Sequence, residues 1–306
     1  MTNLERAERI VYHALRQLGE GQTVPGYGVH KLLYRLAKDH PALFGNDLPF
    51  YWYEHGPFCE PVAEGLAALT MGNHVNETPV LGGSHYSIRP GTAPGDLSAA
   101  ELDAIRSTIR AFGNVPAKKL VEDIYWEDAP YSFMPLMKHD LLPRLQVLAD
   151  DLNATGGRAG RRAEDALGRV PGYLAQCEGR LPPEPYFDEF VEAFSLYRAA
   201  TERLLGQIAS RGPEAAAHAT RALAKSREVW TVFAHGARVH HHHPYYDIRK
   251  TAWDAQYQRE VSALHREMDR YYEDAMQAVL ATTGASNFTL VDKAILSAAF
   301  REDPPA

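Results

Sequence analysis

From Ile248 to Leu280 the apolar residues Trp253, Tyr257, Val261, Leu264, Met268, Tyr272, Ala275 and Val279 follow one another at steps of three or four. That spacing lays them along one stripe of a single long α-helix. A stripe of this length needs other helices to cover it, so the second half of the chain is expected to be a helical bundle. The upstream segments agree. Helices are expected near Ala163 to Cys177, from Tyr186 to Ser210 with Gly212-Pro213 as the stop, and from Glu214 to about His240. "RLPPEP" and Pro244 read as breaks between them. Residues 164–306 therefore read as an all-α, four-helix-type bundle.

The first half has a different grammar. Thr2 and Glu5 have capping-box spacing, and Leu4, Ala7, Val11, Ala14, Leu15 and Leu18 form one helical face that Gly19 ends. "GQTVPGYG" reads as a loop, and "YGVHKLLYRLAKDH" as a second amphipathic helix. "LPFYWYE" has the aromatic content of a short strand, and His55-Gly56-Pro57 reads as a turn. A third helix is expected from Glu60 to Met71, then a hairpin with Gly82-Gly83 at its tip. Helix, helix, strand, helix, hairpin is the order of a winged-helix-like core. Ser98 and Glu101 make a second capping box, with Leu102, Ile105, Ile109 and Phe112 inward. Helices at Ala117–Tyr125 and Leu136–Leu152 complete the half. The fold class expected is α+β, predominantly helical in its N-terminal domain.

"NATGGRAGRRAE" is small, Gly-rich and basic, and is read as a linker over 153–163 between a domain at 1–152 and the bundle at 164–306. It lacks the Lys-Ser/Thr pair and the preceding strand of a phosphate loop. A chain of 306 residues accommodates two such domains.

Composition excludes several classes. Two cysteines, Cys59 and Cys177, cannot make a disulfide framework. No apolar run reaches the roughly 18 residues that span a bilayer. "MTNLERAERI" carries charge where an export signal is apolar, so a cytoplasmic protein is expected. A net charge of -7 disfavours broad nucleic-acid binding.

"YWYEHGPFCEPV" concentrates chemistry in twelve residues, Tyr51 to Val62. Cys59 could serve as a nucleophile with His55 as base, or His55 as a metal ligand. Pro57 separates the first pair, and His55 has no second ligand at a useful spacing. The favoured reading is structural: a strand turns through Gly56-Pro57 into a helix whose cap is Cys59, a poor capping residue.

"KLLYRLAKDHPALFG" (Lys31 to Gly45), "FYWYEHGPFCEPVAEGL" (Phe50 to Leu66) and "SAAELDAIRSTIRAFGNVPAKKLVEDIYWEDAPY" (Ser98 to Tyr131) come in this order. Together they resemble the Panacea, or SocA-like, antitoxin domain family over about residues 1–145. His55 stands where that family more often has Tyr, and Cys59 where it more often has Ser. The resemblance implies an interaction or regulatory protein of a toxin–antitoxin or phage-defence system. Its target would be a protein partner, a toxin or its own C-terminal bundle. The contact surface expected is Tyr51, Trp52, Tyr53, His55 and Phe58. DNA is disfavoured as a partner because the third helix contains no Lys or Arg and carries Glu64. The long helix also suggests a homodimer. No cofactor is implied.

"ARVHHHHPYYDIRK" (Ala237 to Lys250) leaves four readings open. His240, His243 and Asp247 fall at i, i+3 and i+7, a metal-ligand set on one helical face. Arg238 and His243, with Tyr245 following, are similar to the Arg-x4-His motif of HEPN ribonucleases. That resemblance implies a metal-independent RNase held in check by the N-terminal domain, with RNA as its partner. Arg35/His40 has the same spacing. A pH-sensitive binding surface and a solvated helix end are the other two.

Overall fold

A computed structural model describes residues 3–89, 91, 94–209 and 214–283. It is an α+β structure, mostly helical with a small antiparallel sheet. The chain forms two compact units. Among the described residues, the first comprises residues 3–139, Arg180–Pro182 and Trp230–Glu260, and the second comprises Asp140–Gly179, Pro183–Val229 and 261–283. The 153–163 stretch is therefore not the boundary between units: it lies inside the second, where it joins two helices.

In the first unit, α1 (Asn3–Leu18), β1 (Val24–Pro25), α2 (Gly26–Asp39), α3 (Pro41–Phe44), β2 (Tyr51–Tyr53), β3 (Gly56–Phe58) and α4 (Glu60–Met71) come first. Then follow β4 (Val75–Val80), β5 (Gly83–Ile88), α5 (Ala99–Phe112), α6 (Ala117–Asp128) and the turn α7 (Phe133–Pro135). Ile10, Val11 and Leu15 of α1 meet Leu33 and Leu36 of α2 and Val62, Leu66 and Leu69 of α4 in the core. Gly65 suits this close approach, because a Cβ at that position would lie 3.2 Å from the Glu8 backbone of α1, a tight contact.

β4 and β5 pair antiparallel with Val75 opposite Ile88 and Val80 opposite Gly83, so the hairpin is where the sequence predicts it but its tip is Leu81-Gly82, and Gly83 is the first residue of β5 rather than part of the turn. β1, read from sequence as loop, adds Val24 opposite Tyr86 to that sheet. A two-residue strand leaves no periodicity to detect. The aromatic strand also differs from expectation. The turn is Glu54-His55, and Gly56–Phe58 is itself a strand, with Tyr51 opposite Phe58. Gly56 makes this tight reversal at φ +84°, which a side chain disfavours.

The second capping box forms as expected. Ser98 Oγ accepts from the Glu101 amide at 3.3 Å, and the Glu101 carboxylate accepts from the Ser98 amide at 2.7 Å. Ser98→Ala is expected to cost about 1 kcal/mol in a urea unfolding titration. Thr2 of the first box, and the Gly212-Pro213 break, lie outside the described residues.

The second unit begins at Asp140, near the end of a wide turn of π-type, Leu136–Leu141, and continues into α8 (Leu142–Ala154) and α9 (Arg161–Glu178). α10 (Asp188–Ala209), α11 (Ala215–His240) and α12 (Asp247–Thr283) follow. α11 belongs to the second unit up to Val229, and α12 from Val261. The stripe on α12 is buried at Val261, Leu264, Met268, Tyr271 and Ala275. Tyr271 takes the inward place expected for Tyr272, keeping the three-four alternation.

Candidate functional site

The richest chemistry of the first unit gathers around the β2–β3 hairpin. Strand alternation sends Tyr51 and Tyr53 to one face and Trp52 to the other. The Tyr51 face meets the end of α11, the 3-10 turn Pro244–Tyr246 and the start of α12. Tyr51 lies edge-on to Tyr246 at 4.8 Å and 5.1 Å from Trp253, measured between ring centroids. Tyr53 stacks on His235 at 5.8 Å. Arg238 sits over two rings, 5.3 Å from Tyr53 and 4.6 Å from Trp253. Trp52, behind, packs edge-on against Tyr125 and Tyr34.

A charged network crosses this face. Arg238 Nη2 donates to Gln256 Oε1 at 3.1 Å, and Gln256 Nε2 donates to Glu260 Oε1 at 2.8 Å. The other Glu260 oxygen meets His235 Nδ1 at 2.5 Å. His235 Nε2 is 3.4 Å from Glu54 Oε1, an ion-pair distance without hydrogen-bond alignment. The Glu54 carbonyl accepts from Trp230 Nε1 at 3.2 Å and from the Tyr125 hydroxyl at 3.1 Å. Arg238 Nε is buried with no hydrogen-bond partner. Burial lowers the Arg238 pKa, and its two tyrosines partly oppose that.

Beneath the hairpin lie two buried bases. Lys31 donates to the Pro57 carbonyl at 2.7 Å, and burial, helped by Lys138, lowers its pKa to about 7. His30 stacks on Phe58 at 4.5 Å, and burial, then Lys31, lowers it to about 3. Cys59 is fully buried and its thiol is pushed up to about 12 by burial, so it is no nucleophile at neutral pH. It occupies the N-cap of α4 without a side-chain cap. The Tyr246 hydroxyl does the capping instead, accepting from the Glu60 amide at 3.2 Å.

A shallow, open cleft of about 520 Å3 lies on the Trp52 side of the hairpin. Phe50, Trp52, Asp128 and Pro130 form one part of its lining, and His240 to Pro244 the other. The Asp128 carboxylate is held by Arg35 at 3.2 Å and by Lys38. His242 sets Nδ1 against the Val239 carbonyl at 2.9 Å and Nε2 against Asp247 at 2.8 Å. His243 Nδ1 accepts from the Tyr245 amide at 3.1 Å.

The predicted residues divide sharply. Of the expected contact surface, Tyr51 and Trp52 are buried, Tyr53 and Phe58 half-buried, and His55 exposed. Tyr51 is covered by the chain's own Tyr246 and Trp253. The proposed metal set does not assemble. Asp247 pairs with His242 rather than with His240 or His243, and among the described residues no three His, Cys, Asp or Glu are placed to hold a metal. Pro244 starts a 3-10 turn and so breaks the helical register that set required. Arg238 and His243 share none of their hydrogen-bond or ring partners: Arg238 faces Tyr53, Trp253 and Gln256, while His243 caps the turn beside exposed Tyr245.

Sequence reading missed Glu54, His235, Gln256 and Glu260. The three-residue step from His235 to Arg238, one helical face, was the available cue. No helix among the described residues is long and apolar enough to cross a membrane. Compared with known proteins, the chain matches no family model, no curated protein and no solved structure.

Proposed function

We propose that this chain is an interaction and regulatory protein of the toxin–antitoxin or phage-defence type, resembling Panacea antitoxins, and that it works in the cytoplasm. Its aromatic hairpin is the binding element, and residues 230–260 occupy that element until a protein partner competes for it. The observation that carries this reading is the seating of Tyr246 and Trp253 on Tyr51, with Arg238 across Tyr53. The order α1, α2, β2, α4, β4–β5 supports a winged-helix-like core for the first unit, and the helices of the second support a bundle.

Competing readings draw less support. A HEPN-like ribonuclease needs Arg and His on one phosphate, and Arg238 is turned to aromatic rings instead. DNA recognition would fall to α4, which offers no Lys or Arg. A homodimer through the α12 stripe would use residues already buried within the second unit.

The test is affinity capture from cells with the full chain and with Trp253→Ala, which loosens the cover. One specific protein is expected in both, enriched several-fold by the variant. Recovery of no specific protein by either would remove the reading.

A further inference from the structure

We infer that the cleft beside the hairpin binds a flat, uncharged heteroaromatic ring of nucleobase size. Its volume, about 520 Å3, lies inside the roughly 300–1,000 Å3 common for small-molecule sites. Phe50 and two prolines, with the small exposed part of Trp52, give it apolar surface, and imidazoles give it hydrogen-bonding groups. Those are the two needs of such a ring: faces to stack on and polar groups in its own plane.

Charge discriminates among ligand classes. Asp128 is the carboxylate of the lining, and Arg35 and Lys38 already neutralise it. An organic cation would find no uncommitted carboxylate there and would face two cations. A phosphate would meet Asp128 and the C-terminal end of α11, where the helix dipole is negative. A metal would need three converging ligands, and the described residues hold no such group. His242 spends both ring nitrogens on Val239 and Asp247.

Among the lining imidazoles, His243 is assigned as the reader of the ligand. Its Nδ1 accepts a hydrogen bond from the Tyr245 amide, so the neutral ring carries its own proton on Nε2. Burial, and then His242, lower its pKa, which keeps the ring neutral near pH 7. Nε2–H is then a donor for a ring nitrogen or carbonyl of the ligand.

Saturation-transfer NMR on the full chain, near neutral pH, tests this with adenosine, guanosine, cytidine and uridine. Ribose controls for the sugar and ATP for the phosphate. Transfer to the base protons of at least one nucleoside is expected, with none to ribose and no gain from the triphosphate. His243→Asn keeps an oxygen for the Tyr245 amide and removes the imidazole donor; it is expected to weaken binding about tenfold. Phe50→Ala, elsewhere in the lining, should weaken it comparably, and it carries the test alone if His243→Asn fails to fold. Silence from all four nucleosides would overturn the inference. So would binding unchanged in both folded variants, ATP binding far tighter than adenosine, or Zn2+ binding with the nucleosides silent.

Discussion

Tyr246→Ala is expected to lower the stability of the chain by about 3–5 kcal/mol, the range for removing a large buried aromatic. The ring is 1 % exposed. It touches Tyr51 at 4.8 Å and Trp253 at 5.7 Å, so its loss opens a cavity between the hairpin and α12. Its hydroxyl also serves a helix 186 residues away in sequence, taking the Glu60 amide that Cys59 leaves uncapped. Tyr246→Phe separates these roles, keeping the ring and orphaning the amide; it is expected to cost about 1 kcal/mol. Urea unfolding followed by circular dichroism measures both. A cost below about 1 kcal/mol for Tyr246→Ala would mean that residues 230–260 do not hold the hairpin.

Stability should climb with pH above neutrality, and Lys31→Met should remove part of the climb. Burial lowers the Lys31 pKa from 10.5 to about 7. Between those values the unfolded chain keeps a proton that the folded chain has released, so raising pH favours folding. One such proton corresponds to about 1.4 kcal/mol per pH unit. Lys138 is also lowered by burial and stays in the variant, so the readout is the difference in slope between the two proteins. His30 acts in a lower window. Its pKa falls from 6.5 to about 3 on burial, so stability is lost as pH drops below 6.5. That acid limb should persist in Lys31→Met. Parallel wild-type and variant curves from pH 7 to 10 would contradict a buried, readily deprotonated Lys31.

Much of this architecture was legible in the residues, because periodicity reports burial. The Ala/Leu pattern of α4, the β4–β5 hairpin (its turn one residue earlier than Gly82-Gly83 suggested) and the Ser98–Glu101 box each follow from local rules that tertiary contacts do not override. The site was less legible because its members are far apart in sequence. Glu54 and His235 are 181 positions apart and meet only in the folded unit. The aromatic run at Tyr51 announced a contact surface, and no local pattern could say that Tyr246 and Trp253 would cover it. Glycine misled in the other direction. "GGRAG" looks like an inter-domain tether, yet it serves as the turn between α8 and α9. Tether and turn alike need glycine's conformational freedom.

The division of α11 and α12 between the two units has a consequence for the order of synthesis. The hairpin is complete once Phe58 has been made, but Trp253 follows 195 residues later. At about 5–20 residues per second, that interval lasts about 10–40 s. During it the Tyr51 face has no cover of its own, so the growing chain offers this surface to its surroundings before the finished chain withdraws it.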